Sequence, residues 1–160
     1  MCLECNRKPI ARTTTKDTVF YKVLFEDSEG TLNTPYMDTP VKLGVEYSEK
    51  IMDYFPDDKS EHCDYKKVID NENGTYRYKP YNKRTLYRIG YGGHHLFRRK
   101  KDAEMEIKNI LDSLYMKHVW LRPDSLRVYR AIVPKDTLYV TGKYRGSECV
   151  VVKKVKYEEI

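Results

Sequence analysis

Between Arg88 and Lys101 the chain reads RIGYGGHHLFRRKK, with three glycines, two adjacent histidines and four consecutive cations ahead of a helical pattern. Each of these residue types has a chemical use. Gly90, Gly92 and Gly93 let the backbone take positive φ or approach another group closely. Arg98 and Arg99 carry planar forks that match phosphate oxygens, and with Arg88 they are the candidate phosphate partners. A helix N-terminus is already positive, so each cation there costs about 0.3 kcal/mol at an exposed site, and a bound anion would reverse the sign. Tyr87 and Tyr91 are the candidate stacking faces, worth about 1–3 kcal/mol per base where stacking occurs. His95 ordinarily titrates near neutrality, so it can orient the loop, or serve as general acid or base if the site is catalytic. Adjacent residues of an extended chain face opposite ways, so one of His94 and His95 is expected to pack. The candidate ligand-binding set is Tyr87, Arg88, Tyr91, Gly92, Gly93, His95, Arg98 and Arg99.

The same stretch excludes two familiar phosphate motifs. The third glycine of G-x-G-x-x-G would fall at His95, and no Gly-Lys-Ser/Thr follows for a Walker loop. Cys2-x-x-Cys5 is half of a structural zinc site, which His62, Cys63 or Cys149 could complete, but His62 and Cys63 are adjacent, awkward for joint ligation. Cys2 and Cys5 are therefore weak metal candidates, and no cofactor is implied. There is no G-x-S-x-G and no His-Glu-x-x-His. No helix-turn-helix or zinc finger appears, so a nucleotide or short single strand suits the segment better than duplex DNA.

Charge is strongly segregated along the 160 residues. The chain carries 30 Lys and Arg against 24 Asp and Glu, a net +6. From Glu26 to Glu72 there are thirteen acids and five cations, whereas Arg77 to Lys101 holds nine cations and no acid. Two arrangements are open: the segments neutralise each other, or a basic face recruits an anion. Fifteen tyrosines outnumber four phenylalanines and one tryptophan. Because a tyrosine hydroxyl wants a polar partner, many of these rings should sit at the rim of the core or line a wet cavity. No stretch reaches the roughly 18–20 apolar residues of a membrane span and no leader is evident, so the expected location is the cytoplasm, with no membrane partner. The four cysteines are then expected as thiols.

The elements that must position these residues follow from pattern. TVFYKVLF (18–25) reads as a strand, and NTPYMDTPVKLG (33–44), with two prolines, as an irregular crossing. Residues 56–74 read as a long polar loop ending in Asn73-Gly74, followed by a hairpin of 75–80 with 85–91. A helix is expected over about 102–118 from Asp102 as N-cap, with Ala103, Ile107, Ile110, Leu111, Leu114 and His118 on one stripe. LRVYRAIV (126–133), TLYVTG (137–142) and ECVVVKKVKY (148–157) supply three more strands, the last placing Cys149, Val151, Val155 and Tyr157 on one face. The expected fold is a single α+β domain over 1–160, a mostly antiparallel curved sheet covered by one main amphipathic helix.

Several short matches, Met1-Cys2-Leu3, Tyr21-Lys22-Val23-Leu24, Thr34-Pro35-Tyr36, Leu43-Gly44 with Tyr47, Gly93-His94-His95-Leu96-Phe97 and Ile132-Val133-Pro134-Lys135-Asp136-Thr137, run over nearly the whole chain. Together they resemble a family of small proteins encoded by phages and gut bacteria. The resemblance implies that His95 is the motif histidine, with His94 in the place of an aromatic residue. It also implies a glycine where this chain has Asp136, which puts that turn in doubt. The family brings no established activity, and its phage association implies interference with a host system, for instance by sequestering a nucleotide immune signal. Residues and resemblance together lead to the expectation of a non-enzymatic binder of an anionic, nucleotide-like small molecule. A nucleotide-processing enzyme using His95 and an inhibitor docking on a host protein are the rival readings, and self-association is left open.

Overall fold

The computed structural model describes residues 3–5, 10–35, 39–51, 55–56, 65–69, 76–80, 87–89, 93–112 and 123–160, with the backbone alone at 3–5, 55–56, 65–69, 76–80, 87–89 and 123. In chain order the strands are β1 (Leu3–Cys5), β2 (Arg12–Thr13), β3 (Thr18–Glu26), β4 (Leu32–Asn33), β5 (Pro40–Val41), β6 (Glu46–Ser48), β7 (Phe55–Pro56), β8 (Tyr65–Ile69), β9 (Tyr76–Pro80), β10 (Tyr87–Ile89) and β11 (His94–Phe97). Helix α1 (Lys100–Asp112) follows, and then β12 (Leu126–Val133), β13 (Leu138–Tyr144), β14 (Ser147–Val152) and β15 (Lys154–Glu158). The main sheet runs β6-β15-β12-β3-β11-β14-β13-β1-β10-β7, with antiparallel pairing throughout. This is the expected α+β architecture.

β3 is central because its sequence is apolar on both faces, as a strand covered from two sides must be. It pairs with β12 over eight positions, from Leu126↔Phe25 to Val133↔Thr18. Val23 and Phe25 bury on one side with Phe97, Cys149, Val151 and the helix residues Ala103 and Ile110. Phe20 and Leu24 bury on the other with Leu96, Tyr129, Val150, Val152, Val155 and Tyr157. Fully burying each large apolar side chain is worth about 1.5–3 kcal/mol.

Curvature is written into the last strands. Residues 148–157, expected as one strand, are two: β14 lies between β11 and β13, and β15 between β12 and β6. The break is at Lys153, whose N–H donates to the Leu138 carbonyl while its own carbonyl accepts from Glu49 N–H, both at 2.9 Å. The period-two face is therefore broken: Cys149 and Val151 join the core under the helix, Val155 and Tyr157 the core on the other side. The rings of His94 on β11 and Tyr157 on β15 are 6.5 Å apart. Three strand spacings, roughly 14 Å on a flat sheet, separate those strands. The sheet is thus concave on the Tyr157 side, and α1 covers the convex side.

Other expectations need correction. α1 begins at Lys100 and not after Asp102, which sits in the first turn, where a carboxylate suits the positive helix end. Ala103 and Ile110 are buried, Ile107 and Leu111 pack beside them, and Glu106, only 2 % exposed, shares the stripe. Leu114 and His118 lie outside the described residues. HHLF, read as part of a loop, is a central strand, since four residues with intermediate, buried, buried and buried side chains are too few to show a period. β8 falls within the segment expected as a polar loop and pairs with β9, Tyr65↔Pro80 to Ile69↔Tyr76. The expected pairing of 75–80 with 85–91 is replaced: β10 pairs with β1 and β7. Asp136 keeps its turn by adopting φ +62, the left-handed conformation in which a glycine is unstrained.

Candidate functional site

Gly93 does need to be glycine, for a reason internal to the fold. Its φ is +68, and an added Cβ would lie 2.5 Å from Val151 Cγ1, 3.2 Å from Ile51 Cγ1 and 3.2 Å from the Val152 carbonyl oxygen. The close approach it permits is to β14. Immediately after it, β11 sends its two histidines to opposite faces. His95, 8 % exposed, stands opposite Val151 on the helix-covered side, as part of a strand. His94 turns to the concave side.

The cations that follow are held by carboxylates of the same chain. Arg98 Nη1 lies 3.3 Å from Glu148 Oε2, and Arg99 spans both Asp102 oxygens at 2.8 and 3.2 Å. That hydrogen bond, then Asp102's charge, raises the Arg99 pKa. Lys100 Nζ is 3.7 Å from Glu104. Among the described residues the partners of Arg98, Arg99 and Lys100 come from β14 and α1. Tyr87 and Arg88 have their backbones in β10, opposite Cys5 and Glu4 of β1, with three strands between β10 and β11. Tyr91, Gly92 and Cys2 lie outside the described residues. Among the described residues no group of three or more His, Cys, Asp or Glu could hold a metal ion, and no helix is long and apolar enough to cross a membrane.

A different constellation stands on the concave face, around Lys22. β3 alternation puts this lysine on the same side as the buried Phe20 and Leu24, and its partly buried ammonium donates to the His95 carbonyl at 2.9 Å. Burial lowers its pKa to about 8, a shift resisted by the negative charges of Glu106 and Glu49. No salt bridge links Lys22 to a carboxylate among the described residues. Beside it, His94 is brought down to about 4 by burial first and the Lys22 charge second, so its ring is neutral. Its Nε2 is buried with no hydrogen-bond partner among the described residues.

Tyrosine rings frame His94. Tyr47 and Tyr157 both lie 6.5 Å from the His94 ring, edge-on at 61° and 78°, and 6.2 Å from each other. Tyr47 is pinned because its hydroxyl accepts from Lys42 N–H at 2.7 Å. Tyr157, 1 % exposed, has its phenol pKa raised by burial. On the convex side Cys149, also 1 % exposed, is pushed up to about 12, chiefly by burial, so its thiol is inert near neutrality. The sequence reading missed both Lys22 and His94 as a pair. The signal was there in β3, where the inward phase Phe20, Lys22, Leu24 contains a cation.

A partly desolvated ammonium, a neutral imidazole and oriented aromatic edges can together take up a negative or strongly accepting group next to a flat ring. No protein-family model matches this chain, and no curated protein or solved structure matches it either.

Proposed function

We propose that the protein binds an anionic, nucleotide-like ligand and returns it unchanged. The observation that carries this reading is Lys22: an ammonium on an inward-facing strand position, with one described hydrogen bond, close enough for its charge to act on His94, whose ring meets Tyr47 and Tyr157. An ammonium has three donors, and leaving them unmet away from water costs free energy that a bound anion would recover. The exposed arginines support the reading less. Arg98 already has Glu148, and a ligand phosphate would have to displace a carboxylate that stays nearby and repels it. Catalysis through His95 draws no support from its burial in β11.

The resemblance to phage-encoded proteins makes nucleotide signals of a host the first compounds to try. Calorimetric titration with cyclic and linear nucleotides at physiological salt should find at least one ligand tighter than millimolar. Lys22→Met should lose that affinity by tenfold or more, and Arg98→Gln with Arg99→Gln should lose less. Failure of the whole panel to bind overturns the reading, and full affinity in Lys22→Met overturns the site. Product analysis of the same mixtures should recover the ligand intact.

A further inference from the structure

We infer that residues 42–49 form an acid-released strap, which closes over His94 and Tyr157 on the concave face while His94 is neutral and lifts off when His94 takes a proton. The inference is independent of any ligand and rests on how the imidazole is enclosed. His94 on β11 meets Tyr47 of β6 and Tyr157 of β15, each with its ring centroid 6.5 Å away. Its Nε2 is buried and has no hydrogen-bond partner among the described residues. A charged imidazole carries an N–H at both nitrogens, so protonation would leave a cationic donor buried without an acceptor. The titratable and charged groups around the ring are Lys22 on β3, Tyr47 on β6 and Tyr157 on β15, and the residue opposite it on β14 is the apolar Val152. Glu49, at the exposed end of the strap, acts on Lys22 and Tyr157. Strand alternation turns Glu46 to the face opposite Tyr47, where it lies 3.6 Å from Lys154. Burial and the Lys22 charge together hold His94 neutral.

Of the elements around the ring, the strap is the one that can yield. β6 is three residues long and is the terminal strand of the main sheet, whereas β15 lies between β6 and β12. Beyond its short ladder with β15, the strap is held by three backbone donors: Lys42 N–H to the Tyr47 hydroxyl at 2.7 Å, Gly44 N–H to the Tyr157 carbonyl at 2.9 Å and Glu49 N–H to the Lys153 carbonyl at 2.9 Å. Few bonds and an exposed edge place it at the low end of local stability. Its two ends are anchored, Val41 in the concave core and Ile51 against the core under the helix, close to Gly93. Gly44, at φ +77 with nothing within 4 Å of its virtual Cβ, supplies a hinge between them. Lifting the strap carries Tyr47 away, gives the imidazolium water and uncovers the Tyr157 ring, with β3 and β12 still paired.

Amide hydrogen exchange followed by NMR on the full chain, without ligand, tests this. Release returns His94 from about 4 to 6.5, so the closed strap loses stability as pH falls through that window, and linkage raises the opening constant about 40-fold between pH 6 and pH 4. After correction for the intrinsic exchange rate, protection at the Lys42, Gly44 and Glu49 amides should fall by about that factor, while the β3 amides bonded to β12 keep theirs. His94→Phe should hold the strap's protection constant over the same range, and His94→Gln answers the same question should the phenylalanine variant fail to fold. Glu46→Gln combined with Glu49→Gln should leave the fall in place, which removes those two acids as its source. Constant protection in the wild type, an equal fall in the His94 variants, loss of the fall in the glutamate variant, or a matching fall across β3 each overturns the proposal.

Discussion

Replacing Gly93 by alanine separates two explanations of a glycine ahead of two histidines, close packing within the fold and freedom to greet a ligand. The new Cβ would fall 2.5 Å from Val151 Cγ1, with Ile51 Cγ1 and the Val152 carbonyl at 3.2 Å, and the first of these distances is far inside van der Waals contact. Overpacking a filled interior costs typically about 1–3 kcal/mol. The left-handed φ of +68 adds about 1 kcal/mol for any residue with a Cβ. Gly93→Ala should therefore lose about 2–4 kcal/mol. With a slope near 2 kcal/mol/M for urea, the denaturation midpoint moves down by about 1–2 M. Gly44 supplies the control, since its φ is +77 but nothing lies within 4 Å of its virtual Cβ. Gly44→Ala should cost only the conformational part, about 1 kcal/mol. The two urea curves, followed by far-ultraviolet circular dichroism, decide the matter. If Gly93→Ala costs no more than Gly44→Ala, the packing of β11 on β14 described above is wrong, and a ligand-facing role for the glycine regains its standing.

Asp136→Gly should raise stability by up to about 1 kcal/mol, read as a higher Tm, because φ +62 strains any residue with a Cβ; a loss would mean the aspartate side chain supports the turn. Lys22→Met should stabilise the protein by about 3 kcal/mol at pH 7 by removing a cation whose folded pKa, about 8, lies below its unfolded 10.5. The unfolded chain binds the extra proton between those values, so wild type gains on Lys22→Met as pH rises from 8 to 10.5, and a pH-independent difference in urea stability refutes the assignment. His94, at about 4 against 6.5, acts on the acid side: its contribution to wild-type stability falls as pH drops from 6.5 to 4, and His94→Phe should flatten that slope in thermal melts. The Cys149 thiol should resist alkylation by iodoacetamide in the folded protein at pH 8 and react once it is denatured, as peptide mapping would show.

How far the sequence reveals this molecule depends on how many residues carry each signal. TVFYKVLF and LRVYRAIV are long, β-branched and bounded by turns, and both are strands, paired to each other over eight positions. The helix stripe is legible for the same reason, though its start is displaced by two residues because Asp102 is occupied by Arg99 instead of capping. HHLF carries only four residues and is shadowed by the cations after it, so its place between β3 and β14 is set by partners far away in sequence. Lys153 falls in the middle of what reads as one strand. It is a corner, which no period-two count can reveal because both halves keep their own alternation. The candidate site shows the same limit: a run of charge is conspicuous in sequence and finds its partners in the fold, whereas a single lysine in an apolar strand is easily passed over.

The corner at Lys153 also bears on how the chain acquires its shape. β14 and β15 are translated after every other described strand, yet one inserts next to β11 and the other next to β12. Until both have left the ribosome, the strands assembled earlier have a bare flank on each side, where neighbouring nascent chains can dock by edge pairing. Completion then seals two flanks with one stroke of twelve residues, from Ser147 to Glu158. A one-residue deletion inside that stroke would turn the side chains after it to the opposite face of the sheet.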